Sequence, residues 1–145
     1  MLYTKEITFT KSGSVTNQVS SNIKAARGVI HKIDIVFPSG SAGLVKVGIF
    51  LGSSPITPST MGMTISGNDE IVQIPEFIDL RKDFNIVTIK GFNTDDTYDH
   101  TIFFRIYVLP KEVLLPAGAT EGILAGLKSL VLRPIVINKI DRELN

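Results

Sequence analysis

The sequence predicts an all-β protein: an antiparallel β-sandwich, jelly-roll-like, of about eight strands. Three observations support this fold class. Apolar and polar residues alternate in short segments between residues 28 and 110, as half-buried strands require. Gly, Pro, Ser and Asn stand between the segments, where turns need them. The strand signals recur about every 8 to 15 residues, which is the rhythm of a sandwich.

The strands can be assigned in order along the chain. The first contains Tyr3, Ile7 and Phe9 in alternation with polar residues, and the second is polar enough to be an edge strand. The predicted strands cover residues 3–10, 15–23, 28–37, 43–51, 63–65, 70–74, 77–80, 85–92 and 101–109, with Pro75 bending or interrupting one of them. A Pro/Gly turn at residues 38–41 predicts that strands 28–37 and 43–51 form a hairpin.

Length and composition predict one β domain, residues 1–110, followed by a C-terminal arm, residues 111–145. Hydrophobic residues make up 43% of the chain and charged residues 20%. That is apolar for a small domain, so we expect part of the surface to be covered by other chains. The net charge is +1 with no block of like charge, which predicts neither a nucleic-acid partner nor an acidic lipid surface.

The sequence lacks the residues that several classes of chemistry require. Cysteine is absent, which excludes disulfides and thiolate chemistry. No apolar run is long enough for a membrane span, and the first ten residues do not have the pattern of a signal peptide. No phosphate-binding loop, dinucleotide fingerprint or nucleophile elbow occurs. The sequence therefore predicts no catalytic residues, no cofactor and no enzymatic activity.

The acidic segment at residues 93–99 is the one candidate metal site. Asp95, Asp96 and Asp99 could supply oxygen ligands for Ca²⁺. The segment lacks the glycine and the distal glutamate of an EF-hand, so we favour a solvated hairpin loop whose Asn and Asp side chains satisfy the turn. Of the two histidines, His31 is expected to be a satisfied interior or interface side chain, and His100 opens a strand beside Asp99.

Residues 52–62 form the longest irregular segment and are a candidate contact surface. Pro55 and Pro58 cannot donate hydrogen bonds to a sheet. The predicted partner contacts here are Ile56 and Met61. Phe92, Phe103 and Phe104 lie in strands, where packing in the core is the expected role of an aromatic residue, and this weakens a carbohydrate-binding function.

The C-terminal arm has a different pattern. Thr120 can cap a short helix, Glu121 favours its first turn, and Pro134 ends it. An extended segment follows. The predicted partner contacts on the arm are Ile123, Leu124, Leu127, Leu130, Val131 and Ile135. Two arrangements are open: the arm docks onto a neighbouring subunit, or it folds back over its own sandwich.

A resemblance to known proteins rests on three stretches of the sequence: FPSGSAGLVKVGIFLGSSPITP (residues 37–58), ISGNDEIVQI (residues 65–74) and GFNTDDTYDHTIFFRIYVLP (residues 91–110). In texture and order they resemble small jelly-roll-like β-sandwich virion proteins of bacteriophages, of the decoration, cement or minor capsid type. The resemblance covers roughly residues 28–110 and implies a structural subunit of the virion. Its implied partners are copies of itself, as in a trimer, and the viral major capsid protein. The family has no shared catalytic residues.

An alternative function comes from another class. The same sandwich could be a receptor- or glycan-binding module that uses the loops at residues 52–62 and 93–99 as its site. Specific recognition of a sugar by the isolated protein would separate this module from a structural virion protein.

Overall fold

The computed structural model describes residues 1–110 and residue 112 of the 145-residue chain. Residues Met1–Pro110 form one compact unit. It contains six strands: β1 (Leu2–Phe9), β2 (Val19–Phe37), β3 (Val45–Leu51), β4 (Ser54–Thr57), β5 (Glu70–Asn93) and β6 (His100–Leu109). They form one sheet in the order β1-β6-β2-β5-β3-β4, and every pairing is antiparallel.

The all-β, antiparallel prediction is confirmed, whereas the two-layer jelly roll stays a prediction. The predicted C-terminal helix lies outside the described residues. The same holds for the arm contacts Ile123, Leu124, Leu127, Leu130, Val131 and Ile135.

The structure has six strands rather than about eight mainly because two strands are unusually long; in addition, predicted strand 63–65 is not a strand, and β4 lies in the segment 52–62 that was predicted to be irregular. Strand β2 runs for 19 residues and β5 for 24 residues, so each joins segments that the sequence pattern separates. Pro75 lies within β5 without ending it. Around Pro75, β5 pairs with β2 on one side, while β3 pairs only with the later residues of β5. An edge tolerates proline because no ladder hydrogen bond is lost on the open side.

The predicted hairpin between residues 28–37 and 43–51 is wrong, because β5 lies between β2 and β3. The loop after β2 is bound to the turn before β5 instead. The Ser41 hydroxyl lies 2.8 Å from the Gly67 carbonyl, and Asn68 Oδ1 accepts hydrogen bonds from the amides of Gly40 and Ala42. These bonds bring the start of β5, rather than β3, to the edge of β2.

All six strands contribute to one buried apolar cluster. Tyr3 illustrates how distant parts of the sheet meet there: its hydroxyl accepts a hydrogen bond of 3.0 Å from the Ala26 amide, although β1 and β2 are not neighbours in the sheet. Ile56 of β4 is 8% exposed and belongs to this cluster. Ile56 was predicted to contact a partner; its side chain and that of the next residue, Thr57, are both buried, and the partner contact stays a prediction.

Candidate docking surfaces

The outward side of β1, β6, β2 and β5 carries exposed apolar side chains. Core residues such as Ile35 and Phe104 lie directly opposite one another, so Val36 and Phe103, also opposite each other, point away from the core. The "Phe103 face" is defined here by Leu2, Glu6, Val36, Ile71, Phe103 and Arg105. Leu2, Ile71 and Phe103 are 53%, 49% and 45% exposed. The prediction that Phe103 packs in the core is wrong, since its neighbour Phe104 occupies the inward position.

A polar cluster lies within the same outward side. Asp34 is only 2% exposed, because neighbouring side chains cover it. The Tyr107 hydroxyl donates to Asp34 Oδ2 at 3.0 Å, and Lys32 Nζ lies 3.4 Å from Asp34 Oδ1. Lys32 Nζ also lies 5.2 Å from the centre of the Tyr107 ring. One hydrogen bond at Oδ2 and one ion pair at Oδ1, which makes no hydrogen bond to a described residue, compensate the burial of this carboxylate, and they hold the side chains beside the apolar row in fixed positions.

His31 does not join the core face that the alternation predicts. A β-bulge lies between Ile30 and Lys32 and breaks the period of two at His31. The imidazole packs edge-on against Tyr107, with ring centres 5.9 Å apart. Its Nδ1 atom is buried and makes no hydrogen bond to any described residue, so the expectation of a satisfied histidine is not met at that atom.

The loop between β5 and β6 is organised by three buried polar side chains, Asn93, Asp95 and His100. Asp95 Oδ1 accepts from the amides of Thr97 and Tyr98 at 2.8 and 3.3 Å, and Asp95 Oδ2 lies 2.8 Å from His100 Nε2. Asn93 Nδ2 donates to the carbonyls of Phe9 and Tyr98 at 3.1 and 2.8 Å. The loop is therefore tied to β1 and to its own backbone, and it does not connect a hairpin, because β2 lies between β5 and β6.

The same contacts set the electrostatics of the loop. The Thr97 amide, and after it the His100 side chain, hold the pKa of the Asp95 carboxyl below its ordinary value, although burial acts in the opposite direction. Both Asp95 oxygens are thus engaged inside the chain. Asp96 and Asp99 are exposed and accept hydrogen bonds from the Thr97 hydroxyl and the Lys11 amide. Within the described part of the chain, no three His, Asp or Glu residues are grouped so that they could hold a metal ion.

A second surface feature is a cleft of about 440 Å³ between the β3–β4 turn and the middle of β5, called here the "Phe84 cleft". Its lining includes Leu51, Asp79, Arg81, Lys82, Phe84 and Ile86. Phe84 and Ile86 are 63% and 44% exposed. Lys24 Nζ lies 4.1 Å from the centre of the Phe84 ring, within the range of a cation–π contact.

The cleft exists because β5 makes an excursion opposite β2. Three residues of β5, 81–83, lie opposite the single residue Arg27. Asn85, 6% exposed, holds the excursion: its Nδ2 donates to the Lys82 carbonyl at 2.8 Å and its Oδ1 accepts from the Lys82 amide at 3.3 Å. An ion pair of 3.0 Å joins Arg27 to Asp83.

The structure separates the sequence-predicted candidates. Met61 is 69% exposed and remains accessible in the segment 52–62, whereas Ile56 of the same segment is in the core. Asp95, Asp96 and Asp99 share one loop, but Asp95 faces inward. Neither the Phe103 face nor the Phe84 cleft was predicted from the sequence. The Phe103 face could have been predicted, because Phe103 and Phe104 are adjacent in a strand and only one of them can point to the core. The Phe84 cleft could not, because the β5 excursion that forms it resembles a turn in sequence.

Comparisons with known proteins do not assign the chain to a family. No family model matches the chain, and no curated protein matches it detectably in sequence. In the part of the chain that the structure describes, no helix has the length and the apolar character needed to cross a bilayer.

Proposed function

We propose that the chain is a structural virion protein of the decoration, cement or minor capsid type, located in the virion. In this proposal it is a jelly-roll-like β-sandwich with a helix-containing C-terminal arm. It assembles with copies of itself, as a trimer, and binds the viral major capsid protein. The sequence resemblance over residues 28–110 supports this function, and the chain carries it out without catalysis.

The Phe103 face is the observation that carries the proposal. Apolar side chains exposed together and bordered by charged groups mark interaction surfaces on soluble proteins. On this face Phe103, Val36 and Ile71 form a cross-strand row, with Glu6 and Arg105 beside it. Glu6 and Arg105 make no ion pair with any described residue, and in this proposal they pair with charges of the partner. We assign this face to the capsid protein.

Particle incorporation tests the virion role. Virus particles purified from a culture that produces this protein should contain the full-length chain in the copy number of a capsid-lattice component, as measured by quantitative mass spectrometry. Phe103→Ser should reduce incorporation about tenfold or more, as expected for an aromatic contact near the centre of an interface. Val15→Ser is the matched control, since Val15 is 69% exposed and outside the Phe103 face. Absence of the wild-type chain from particles would overturn the assignment.

One observation favours the receptor- or glycan-binding alternative. Tyr98 is 67% exposed in the loop at residues 93–99, and exposed tyrosine rings can stack on apolar sugar faces. A glycan array probed with the full-length chain tests this function. Specific binding that is lost in Tyr98→Ala would support it, and an array without specific binding would remove it.

A further inference from the structure

Tyr98 is an exposed aromatic residue on a loop whose backbone is fixed. Its amide donates to Asp95 Oδ1 at 3.3 Å, and its carbonyl accepts from Asn93 Nδ2 at 2.8 Å. Asn93 is fully buried, so the loop is anchored in the core. The ring itself is 67% exposed. A preorganised loop loses little conformational entropy on binding, and an exposed tyrosine on such a loop has the character of an interface hot spot.

The charges around Tyr98 and around the Phe84 cleft have opposite signs. Asp96 and Asp99 flank Tyr98 in the exposed part of its loop. At the cleft and its excursion, the cations Arg81, Lys82, Lys24 and Arg27 outnumber the carboxylates Asp79 and Asp83, which pair with Arg81 and Arg27 at 3.1 and 3.0 Å. The chain as a whole has a net charge of only +1, so this separation is local and gives the molecule an acidic site and a basic site.

The size of the cleft also suits an aromatic side chain. The Phe84 cleft offers an apolar wall of Leu51, Phe84 and Ile86 and a volume of about 440 Å³, enough for an aromatic side chain. Phe84 and Asn93 are nine residues apart on β5, which corresponds to about 30 Å of extended strand. The Tyr98 loop begins where β5 ends, so the loop and the cleft of one chain lie too far apart along β5 to meet each other.

We infer that the Tyr98 loop of one copy inserts into the Phe84 cleft of a second copy of this chain. The Tyr98 ring packs against Phe84 and Ile86, while Asp96 and Asp99 face Lys82 and Arg81. Such a contact is head-to-tail, and head-to-tail contacts close into rings when the rotation between copies allows it. The inference rests on the proposed function, for which it names the contact that builds the homo-oligomer.

The test measures self-association of the full-length chain by sedimentation velocity over a concentration series. Tyr98→Ala should weaken association on the order of tenfold or more, the effect expected for a hot-spot residue. Phe77→Ala is the matched control, because Phe77 is 75% exposed and lies outside the lining of the cleft. It should leave the association constant unchanged.

A charge exchange tests the orientation of the contact. Lys82→Glu and Asp96→Lys should each weaken association, and the double variant should regain it, because the two charges then attract with reversed sign. Both side chains are exposed, so the variants should fold, and circular dichroism checks this. Restored association in the double variant would be difficult to explain by any other contact.

Three outcomes would overturn the inference. A wild-type chain that stays monomeric excludes the contact, while particle incorporation still decides the proposed virion role. An oligomer that is unaffected by Tyr98→Ala and by the charge variants shows that copies meet elsewhere. Loss of specific glycan binding in Tyr98→Ala, with self-association intact, assigns Tyr98 to a sugar site instead.

Discussion

At the scale of single residues, the β5–β6 loop depends on which polar groups are buried. Asn93 is fully buried and Asp95 is 9% exposed, and each satisfies backbone groups that a loop would otherwise leave to water. Asn93 Oδ1 also accepts a 2.9 Å hydrogen bond from the Asp95 amide. The acidic composition of the segment suggests a solvated loop or a cation site. Which of its acids turns inward is decided by His100 on β6, and residue spacing does not reveal that choice.

Asp95→Asn should change the pH dependence of stability. The pKa of Asp95 is lowered in the folded chain, first by the Thr97 amide and then by His100. Its stabilising contribution is therefore complete above the ordinary aspartate pKa of about 3.9 and is lost as pH falls through the lower folded value. We expect Asp95→Asn to be less stable than wild type at neutral pH, with a difference that shrinks below about pH 4.

Urea denaturation at a series of pH values measures this difference. Asp96→Asn is the control, because Asp96 is exposed and contacts only the Thr97 hydroxyl among the described side chains. That variant should remain within about 0.5 kcal/mol of wild type throughout. A constant gap between Asp95→Asn and wild type from neutral to acid pH would contradict the explanation.

At the scale of elements, β5 shows where local signals are overridden. Pro75 and the polar run Arg81–Lys82–Asp83 resemble strand ends, yet β5 continues through both. Pro75 is tolerated because it lies at a sheet edge. The run at residues 81–83 forms the excursion of β5, which the side chain of Asn85 closes through its hydrogen bonds to Lys82. Alternation predicted most of the strand segments, because it reports on burial, but it failed at His31, where a bulge breaks the period, and at residues 63–65, which are not a strand. It could not predict that β5 is continuous, because continuity depends on pairing with the 19-residue β2.

Asn85→Ala should destabilise the fold through the excursion of β5. The variant removes the hydrogen bonds between the Asn85 side chain and the backbone of Lys82 and leaves buried polar groups without partners. Such a loss costs about 1–3 kcal/mol in free energy of unfolding. Asn22→Ala is the control: Asn22 is exposed and only accepts from the Thr88 hydroxyl, so we expect less than about 0.5 kcal/mol. Equal effects in urea denaturation would show that Asn85 does not hold the excursion.

Gly91→Ala tests the close packing between β5, β3 and β1. A Cβ at Gly91 would lie 2.5 Å from the Lys46 carbonyl oxygen and 2.8 Å from the Phe9 ring. The backbone oxygen belongs to a paired strand and cannot move freely, so we expect a loss of about 1–3 kcal/mol from overpacking. At Gly48 the nearest atom is 3.3 Å away on the Phe50 ring, which can shift, and Gly48→Ala should cost clearly less. The reverse ranking in thermal or urea denaturation would contradict the packing described here.

At the scale of the whole molecule, strand order is the feature that the sequence could not supply. The one predicted hairpin paired consecutive segments, but β3 and β4 are the only consecutive strands that are neighbours in the described sheet. The other pairings join residues far apart in the chain, such as Phe9 with His100. Long-range pairing of this kind is selected by the shared core and by loop contacts such as those of Ser41 and Asn68, which form only as distant segments come together and leave no local pattern in the sequence.

The last prediction concerns the C-terminal arm. Deleting residues 118–145 should weaken assembly more than it alters the β domain, because Met1–Pro110 is already a compact unit with its own apolar cluster and independent domains retain their fold when separated. Circular dichroism should keep its β spectrum, while sedimentation velocity should show a smaller particle than the full-length chain forms. A truncated chain that loses its β spectrum would place the arm in the core of its own subunit. A truncated chain of unchanged assembly would remove the arm from the interface and leave self-association to surfaces within residues 1–110.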